Sequence, residues 1–311
     1  MTTAKTSAAH SVHSSRAALA SVAMALFLLL AKSWAAYLTD STAMLGSLAD
    51  TALDLIASLT TLAGVRIAAQ PADLDHRFGH GKAEALVALA QVALITFSAI
   101  AIMWRATERL FNRAETQAMD VGIGVSLIAI ALTFVLLWYQ RRVIERTGSV
   151  AIKTDNVHYK ADLLLNGAVI VALVLDQVLD LHGADAIFGI VIALWLLWGA
   201  WRASREAVHQ LMDREWPEME RQEFLDAAAK YEELRGLHDL RTRKSGTLRF
   251  VQFHVWVPAH WTVQEAHDRL DRAEEDLQKS FPDTEILIHV DPEGQTDRET
   301  LLPQEITEQA S

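Results

Sequence analysis

Four side chains stand where charge is expensive. Asp50 and Asp54 lie in Ala49-Asp50-Thr51-Ala52-Leu53-Asp54-Leu55, and His158 and Asp162 lie in His158-Tyr159-Lys160-Ala161-Asp162. Both pairs have i, i+4 spacing, which puts their members on one helix face. Both fall in or beside long apolar runs. Stacked carboxylates in such surroundings cost several kcal/mol and call for a counter-charge or a cation. If the two helices pack face to face, three carboxylates and one imidazole converge. That tetrahedral N/O set suits Zn2+ or another divalent first-row ion. The plainer alternative is an Asp paired with Lys32 or Lys160, or one lining a water-filled crevice.

Two further clusters carry ligand types. Between Pro71 and Lys82, a glycine-flexed stretch holds Asp73, His76 and His80. It could ligate a cation, or be only a solvated polar turn. Nearer the C-terminus come His238, His254, His267, His289 and Asp291. His289 and Asp291 share a face if their segment is a strand, because side chains alternate. His254 sits mid-strand, and His267 interrupts the apolar face of a helix. The chain has no cysteine, so thiolate sites and disulfides are excluded and any metal rests on His and carboxylate.

The elements that must hold these groups fall into two parts. Of 311 residues, 51% are hydrophobic, and the apolar ones cluster in six runs, near 17–38, 42–69, 83–110, 121–139, 157–179 and 186–201. Most are long enough to cross roughly 30 Å of hydrocarbon. Backbone groups in lipid must pair within their segment, so each run is expected to be a helix. Six spans put both termini on one side. Lys5, Arg16, Arg66, Arg77, Lys82, Arg141, Arg142, Arg146, Lys153, Arg202 and Arg205 flank one side, and Arg105, Arg109 and Arg113 the other. The first side is expected to be cytoplasmic.

Residues 1–212 carry 16 basic and 16 acidic side chains, and residues 213–311 carry 12 and 23, which supplies the whole net charge of −11. An acidic soluble part does not suit nucleic acid. From Pro217 the pattern reads helix to about Leu234, strand Leu237–Lys244, turn at Ser245-Gly246, strand Thr247–Val257, helix Val263–Phe281 and strand Glu285–Asp291. The expected architecture is an all-α six-helix transmembrane domain (1–212), then an αββαβ open-faced α+β domain (213–293), then a polar tail (294–311).

These motifs, in this order, resemble the cation diffusion facilitator family, in its bacterial zinc and ferrous-iron efflux branch. The stretches that carry the likeness are Asp50 to Asp54, Gln70 to Asp73, Phe78 to Glu84, His158 to Asp162, Leu211 to Arg214, Leu237 to Arg243 and Ile288 to Pro292. The resemblance implies a transport site of Asp50, Asp54, His158 and Asp162. It implies a loop site of Asp73, His76 and His80. In a ferredoxin-like, metallochaperone-like cytoplasmic domain it implies a binuclear site of His238, His254, His267, His289 and Asp291. It also implies a homodimer in the bacterial inner membrane, steadied by a Lys82–Asp213 salt bridge.

The expected function is export of a divalent metal, Zn2+ before Fe2+, Cd2+, Co2+ or Mn2+, against protons. A site of charge −3 holding one Zn2+ retains −1. Emptied, it should take up protons, and an imidazole with an ordinary pKa near 6.5 is the natural carrier. Two rivals are an intramembrane metalloenzyme, which lacks a His-Glu-x-x-His base here, and a membrane-tethered sensor that moves nothing.

Overall fold

The computed structural model describes residues 3–39, 42–112, 120–179 and 184–294. The expected polar tail beyond Gly294, together with Arg113, lies outside them. Two compact units are present: His10–Val208, and one built mainly from the residues after His209.

The first unit contains long helices α1 (Thr3–Thr39), α2 (Thr42–Ala68), α3 (Ala83–Asn112), α4 (Asp120–Thr147), α5 (Val150–Leu179) and α6 (Ala184–Leu211). Stretches of α1, α2, α3, α4 and α6 are apolar and long enough to cross a membrane. Lys153, Asp155, His158, Lys160 and Asp162 make the first half of α5 far more polar. The helix also starts seven residues before the expected Val157. Gly148, at φ +63, ends α4, and the Ser149 hydroxyl caps α5 through the Ile152 amide. This two-residue joint aims α5 back along the bundle.

Small residues set the spacing. Ala17, Ala18 and Ala151 are completely buried in one cluster, and Ala99, Ala161 and Ala200 are buried in another. At Gly64 of α2, a Cβ would lie 2.3 Å from Val87 of α3. Close backbone approach is what holds helices together where lipid is as apolar as the side chains. Large apolar side chains such as Phe27, Leu30, Phe97, Trp104 and Trp198 face outward.

In the second unit, α7 runs only from Glu218 to Ala228, and a 3-10 turn covers Glu232–Leu234. The expected single helix to Leu234 is therefore broken. Strands β1 (His238–Ser245) and β2 (Leu248–Val257) form an antiparallel hairpin, with Gly246 at φ +61 in the turn. Helix α8 (Val263–Ser280) starts on a Thr262–Glu265 capping box. Strand β3 (Thr284–Pro292) then lies parallel to β2. Val251, Phe253, Val255 and Ile286 turn inward beneath Phe224, Leu270, Leu277 and Phe281. Among the described residues, nothing covers the opposite sheet face, where Gln252, Leu287 and His289 are exposed.

Candidate metal sites

Helices α2 and α5 bring three of the four intramembrane residues together. His158 Nε2 lies 3.0 Å from Asp54 Oδ1 and 3.7 Å from Asp162 Oδ2. The ligand atoms of Asp54, His158 and Asp162 all lie within 4.8 Å of one another. One nitrogen faces two carboxylates, so a single proton cannot serve both. Asp50 stands one turn along α2, exposed and outside this group. The lysines considered as partners are placed otherwise. Lys32 donates to Thr51 Oγ1 at 2.6 Å, and Lys160 is exposed.

In the loop before α3, the amides of His76 and Asp75 donate to Asp73 Oδ1 at 2.6 and 2.9 Å. The His76 amide, more than the nearby imidazoles, holds the Asp73 carboxyl below the usual carboxylate range. His76 Nδ1 and His80 Nε2 each lie 3.3 Å from Asp73. His80 Nδ1 is 3.2 Å from the Pro71 carbonyl, which can only accept. In neutral His80 that bond puts the proton on Nδ1 and turns a bare Nε2 toward Asp73, acceptor against acceptor.

The sheet repeats this arrangement. His238, His254 and His289 are register partners across β1, β2 and β3. A register slip between His238 and Arg241, with Asp239 at φ +49, brings His238 onto the open face. Without it, alternation would turn His238 toward the core. Asp291 Oδ2 lies 3.3 Å from His238 Nε2 and 2.9 Å from His254 Nδ1, and Oδ1 lies 3.5 Å from His289 Nε2. His238 Nδ1 bonds the Gly236 carbonyl at 2.8 Å, and its buried Nε2 has no hydrogen-bond partner. An orphaned imidazole nitrogen facing a carboxylate fits a cation such as Zn2+.

His267 does not join this group. It is exposed on α8, one position off the Ala266–Leu270–Ala273–Leu277 stripe, so it does not interrupt the apolar face. Asp213, expected to pair with Lys82, lies 3.6 Å from Arg243. Sequence reasoning passed over Asp155, which is completely buried in α5. The sequence marks it only as an acidic residue three before His158, because the Ser, Thr and Gln side chains it faces stand in four other helices.

Residues 18–212 match the family model described as the cation efflux transmembrane domain, and residues 216–293 match the cytoplasmic domain of cation efflux proteins. The chain belongs to the cation diffusion facilitator family. Among its relatives are the cation-efflux pumps FieF of Salmonella arizonae and Salmonella typhimurium. Each is 42% identical over 278 residues, covering 89% of this chain and 92% of its own length. As a cation diffusion facilitator the chain is a membrane transporter rather than an enzyme, which sets the metalloenzyme rival aside.

Proposed function

We propose that this cation diffusion facilitator exports a divalent metal, Zn2+ in the first place, by exchange for protons at a site between α2 and α5. The observation that carries this reading is the meeting of Asp54, His158 and Asp162 from two helices within 4.8 Å. Asp50 is the fourth ligand, recruited by a small shift of α2. A nitrogen and carboxylate oxygens favour zinc over the harder Mn2+, and ferrous iron is the second choice. Metal and proton compete for the same lone pairs, so a site that alternates between faces couples the two gradients.

Both termini are cytoplasmic in this reading, the membrane is the bacterial inner membrane, and the protein works as a homodimer. The sheet face of the C-terminal part that the described residues leave uncovered supports the dimer. Zinc at His238, His254, His289 and Asp291 would steady the cytoplasmic domain, with exposed His267 available to a partner. Asp73, His76 and His80 form a second candidate site. Lys82 and Asp213 are assigned to the dimer salt bridge by family likeness alone.

Zinc flux into proteoliposomes under an imposed pH gradient tests the reading. His158→Ala and Asp54→Ala should abolish flux while the dimer stays folded. Undiminished flux in both would overturn the site. Zinc binding without any pH-coupled movement would favour a sensor.

A further inference from the structure

The polar cluster that the transport site leaves unused centres on Asp155. Ser21 Oγ and Gln140 Nε2 each donate to Asp155 Oδ2 at 2.8 Å. Gln91 Nε2 and Thr61 Oγ1 approach Oδ1 at 3.3 and 3.5 Å. Gln140 also donates to Ser21 Oγ and accepts from Asn156 Nδ2, both at 3.0 Å. One carboxylate thus ties α1, α2, α3 and α4 to α5. One turn along α5, the Tyr159 hydroxyl donates to the Ser21 carbonyl at 3.2 Å and meets Ser58 Oγ of α2 at 2.8 Å.

The tied positions share one end of the bundle. Gln91 and Asp155 lie early in α3 and α5, Thr61 and Gln140 lie late in α2 and α4, and Ser21 lies midway along the longer α1. Arg66, Arg141, Arg142 and Arg146 mark the same end. Thr61 lies seven residues past Asp54, and Asp155 lies seven before Asp162. Two helical turns, about 10 Å, therefore separate Thr61 from Asp54 and Asp155 from Asp162, while His158 stands one turn from Asp155 on α5. Thr61–Asp155 and Ser58–Tyr159 are rungs on the α2–α5 seam that ends in the candidate site.

We propose that Asp155 is a latch: a positioning residue that closes this end of the bundle beneath the site without binding metal. Its four donors are neutral, and they use up the lone pairs a metal would need. Within a membrane bundle, each such bond shifts an open–closed equilibrium by only about threefold. Thr61 shares its one hydroxyl hydrogen with the nearer Ala57 carbonyl at 3.0 Å, so the three full bonds from Ser21, Gln91 and Gln140 shift it on the order of 30-fold, enough to hold one state and still allow the other. The buried Gln91 Oε1 has no donor, so the closed network is incompletely satisfied. The consequence for transport rests on the site proposed above, but the geometry of the latch does not.

The absence of native cysteine allows a direct test with the full-length dimer in proteoliposomes. Ala151→Cys places a thiol at a completely buried position one turn nearer the helix end than Asp155. A small methanethiosulfonate reagent applied from that end, with chelator present, should label it slowly. Adding Asp155→Ala should speed labelling at least tenfold, and Asp155→Asn, which keeps one accepting oxygen, should fall between. In flux assays, Asp155→Ala should lower both KM for zinc on that side and kcat, because more molecules stand open there. If Asp155→Ala does not assemble, Ser21→Ala and Gln140→Met should each speed labelling about threefold. Unchanged labelling in every variant overturns the latch. So does a fall in kcat at constant KM with unchanged labelling, which marks a purely structural or proton-handling role. Failure of zinc flux in the parent would sink the site reading, while the labelling comparison would still decide the latch.

Discussion

Replacing Asp291 by Asn should change the cytoplasmic domain with opposite signs in the presence and absence of zinc. In chelator, neutral His238 carries one ring proton. The Gly236 carbonyl already takes the His238 Nδ1 proton, so Nε2 presents a lone pair to Asp291 Oδ2 3.3 Å away. An Asn amide can donate there, with its second hydrogen directed to His254 Nδ1, 2.9 Å from the same position, when neutral His254 carries its proton on Nε2; a neutral hydrogen bond contributes about 0.5–1.5 kcal/mol. For a domain this small, that is a rise in Tm of roughly 3–8 °C. Zinc reverses the ranking. At a zinc concentration about 100 times Kd, the unaltered domain gains about 2.7 kcal/mol. Asp291 lies within 3.5 Å of three imidazoles, so its loss should cost at least the 10–100-fold in affinity that even a supporting partner costs. The variant then keeps only about 0.4–1.4 kcal/mol of zinc stabilisation. Thermal melts of residues 213–293, which carry their own apolar core, read both arms. An Asp291→Asn domain that melts lower in chelator and keeps the full zinc shift would refute the acceptor-against-acceptor argument.

Gly64→Ala should wedge α2 from α3, because the new Cβ meets Val87 Cγ2 at 2.3 Å. The expected cost is about 1–3 kcal/mol in the thermal stability of the solubilised dimer, relieved by adding Val87→Ala. The Asp73 carboxyl is held low by the His76 amide. Its stabilisation of the turn is therefore complete above the ordinary carboxylate range and is lost only as pH falls through the depressed value. Zinc binding at the loop should also fade as pH falls, because protons compete with the metal for the imidazole lone pairs. Amide exchange at His76 alongside zinc titration should separate the two steps. Asp50→Ala should weaken zinc affinity less than Asp54→Ala, since Asp50 stands outside the gathered triad. Equal losses in zinc titrations of the two variants would mean that Asp50 is already a full ligand.

Helix and strand periodicity made most of the fold legible. The ββαβ part of the last domain lies within a residue or two of its expected bounds, because alternation at Val251–Val257 and the stripe Ala266–Leu277 are strong signals. The broken helix after α7 was hidden, since Glu232 and Glu233 suit a helix and only tertiary packing of Leu234 selects the 3-10 turn. The i, i+4 rule correctly put His158 and Asp162 on one face. It could not show that Asp50 would fall a turn short, because spacing says nothing about where two helices cross. The orientation of His238 was equally hidden. It depends on a one-residue slip at Asp239, a non-glycine residue at positive φ with no turn signature around it. Asp155 was overlooked because its partners come from four other helices.

The contrast between Asp155 and Asp54 separates two ways for a membrane bundle to hold a carboxylate. Asp155 is completely buried and receives hydroxyl and amide donors from four helices, so its demand for hydrogen bonds is met without a counter-ion. Asp54 is partly exposed, at 23%, and faces an imidazole nitrogen that another carboxylate also claims. Burial alone would mark Asp155 as the stronger candidate for chemistry, since desolvation is greatest there. Donor accounting reverses that ranking. A carboxylate whose lone pairs are spoken for can only clamp, whereas one that shares its neighbour with a second acceptor has room for a cation. The same accounting links Asp54, Asp73 and Asp291, which lie in different parts of the chain, and it excludes Asp155 only three residues from His158.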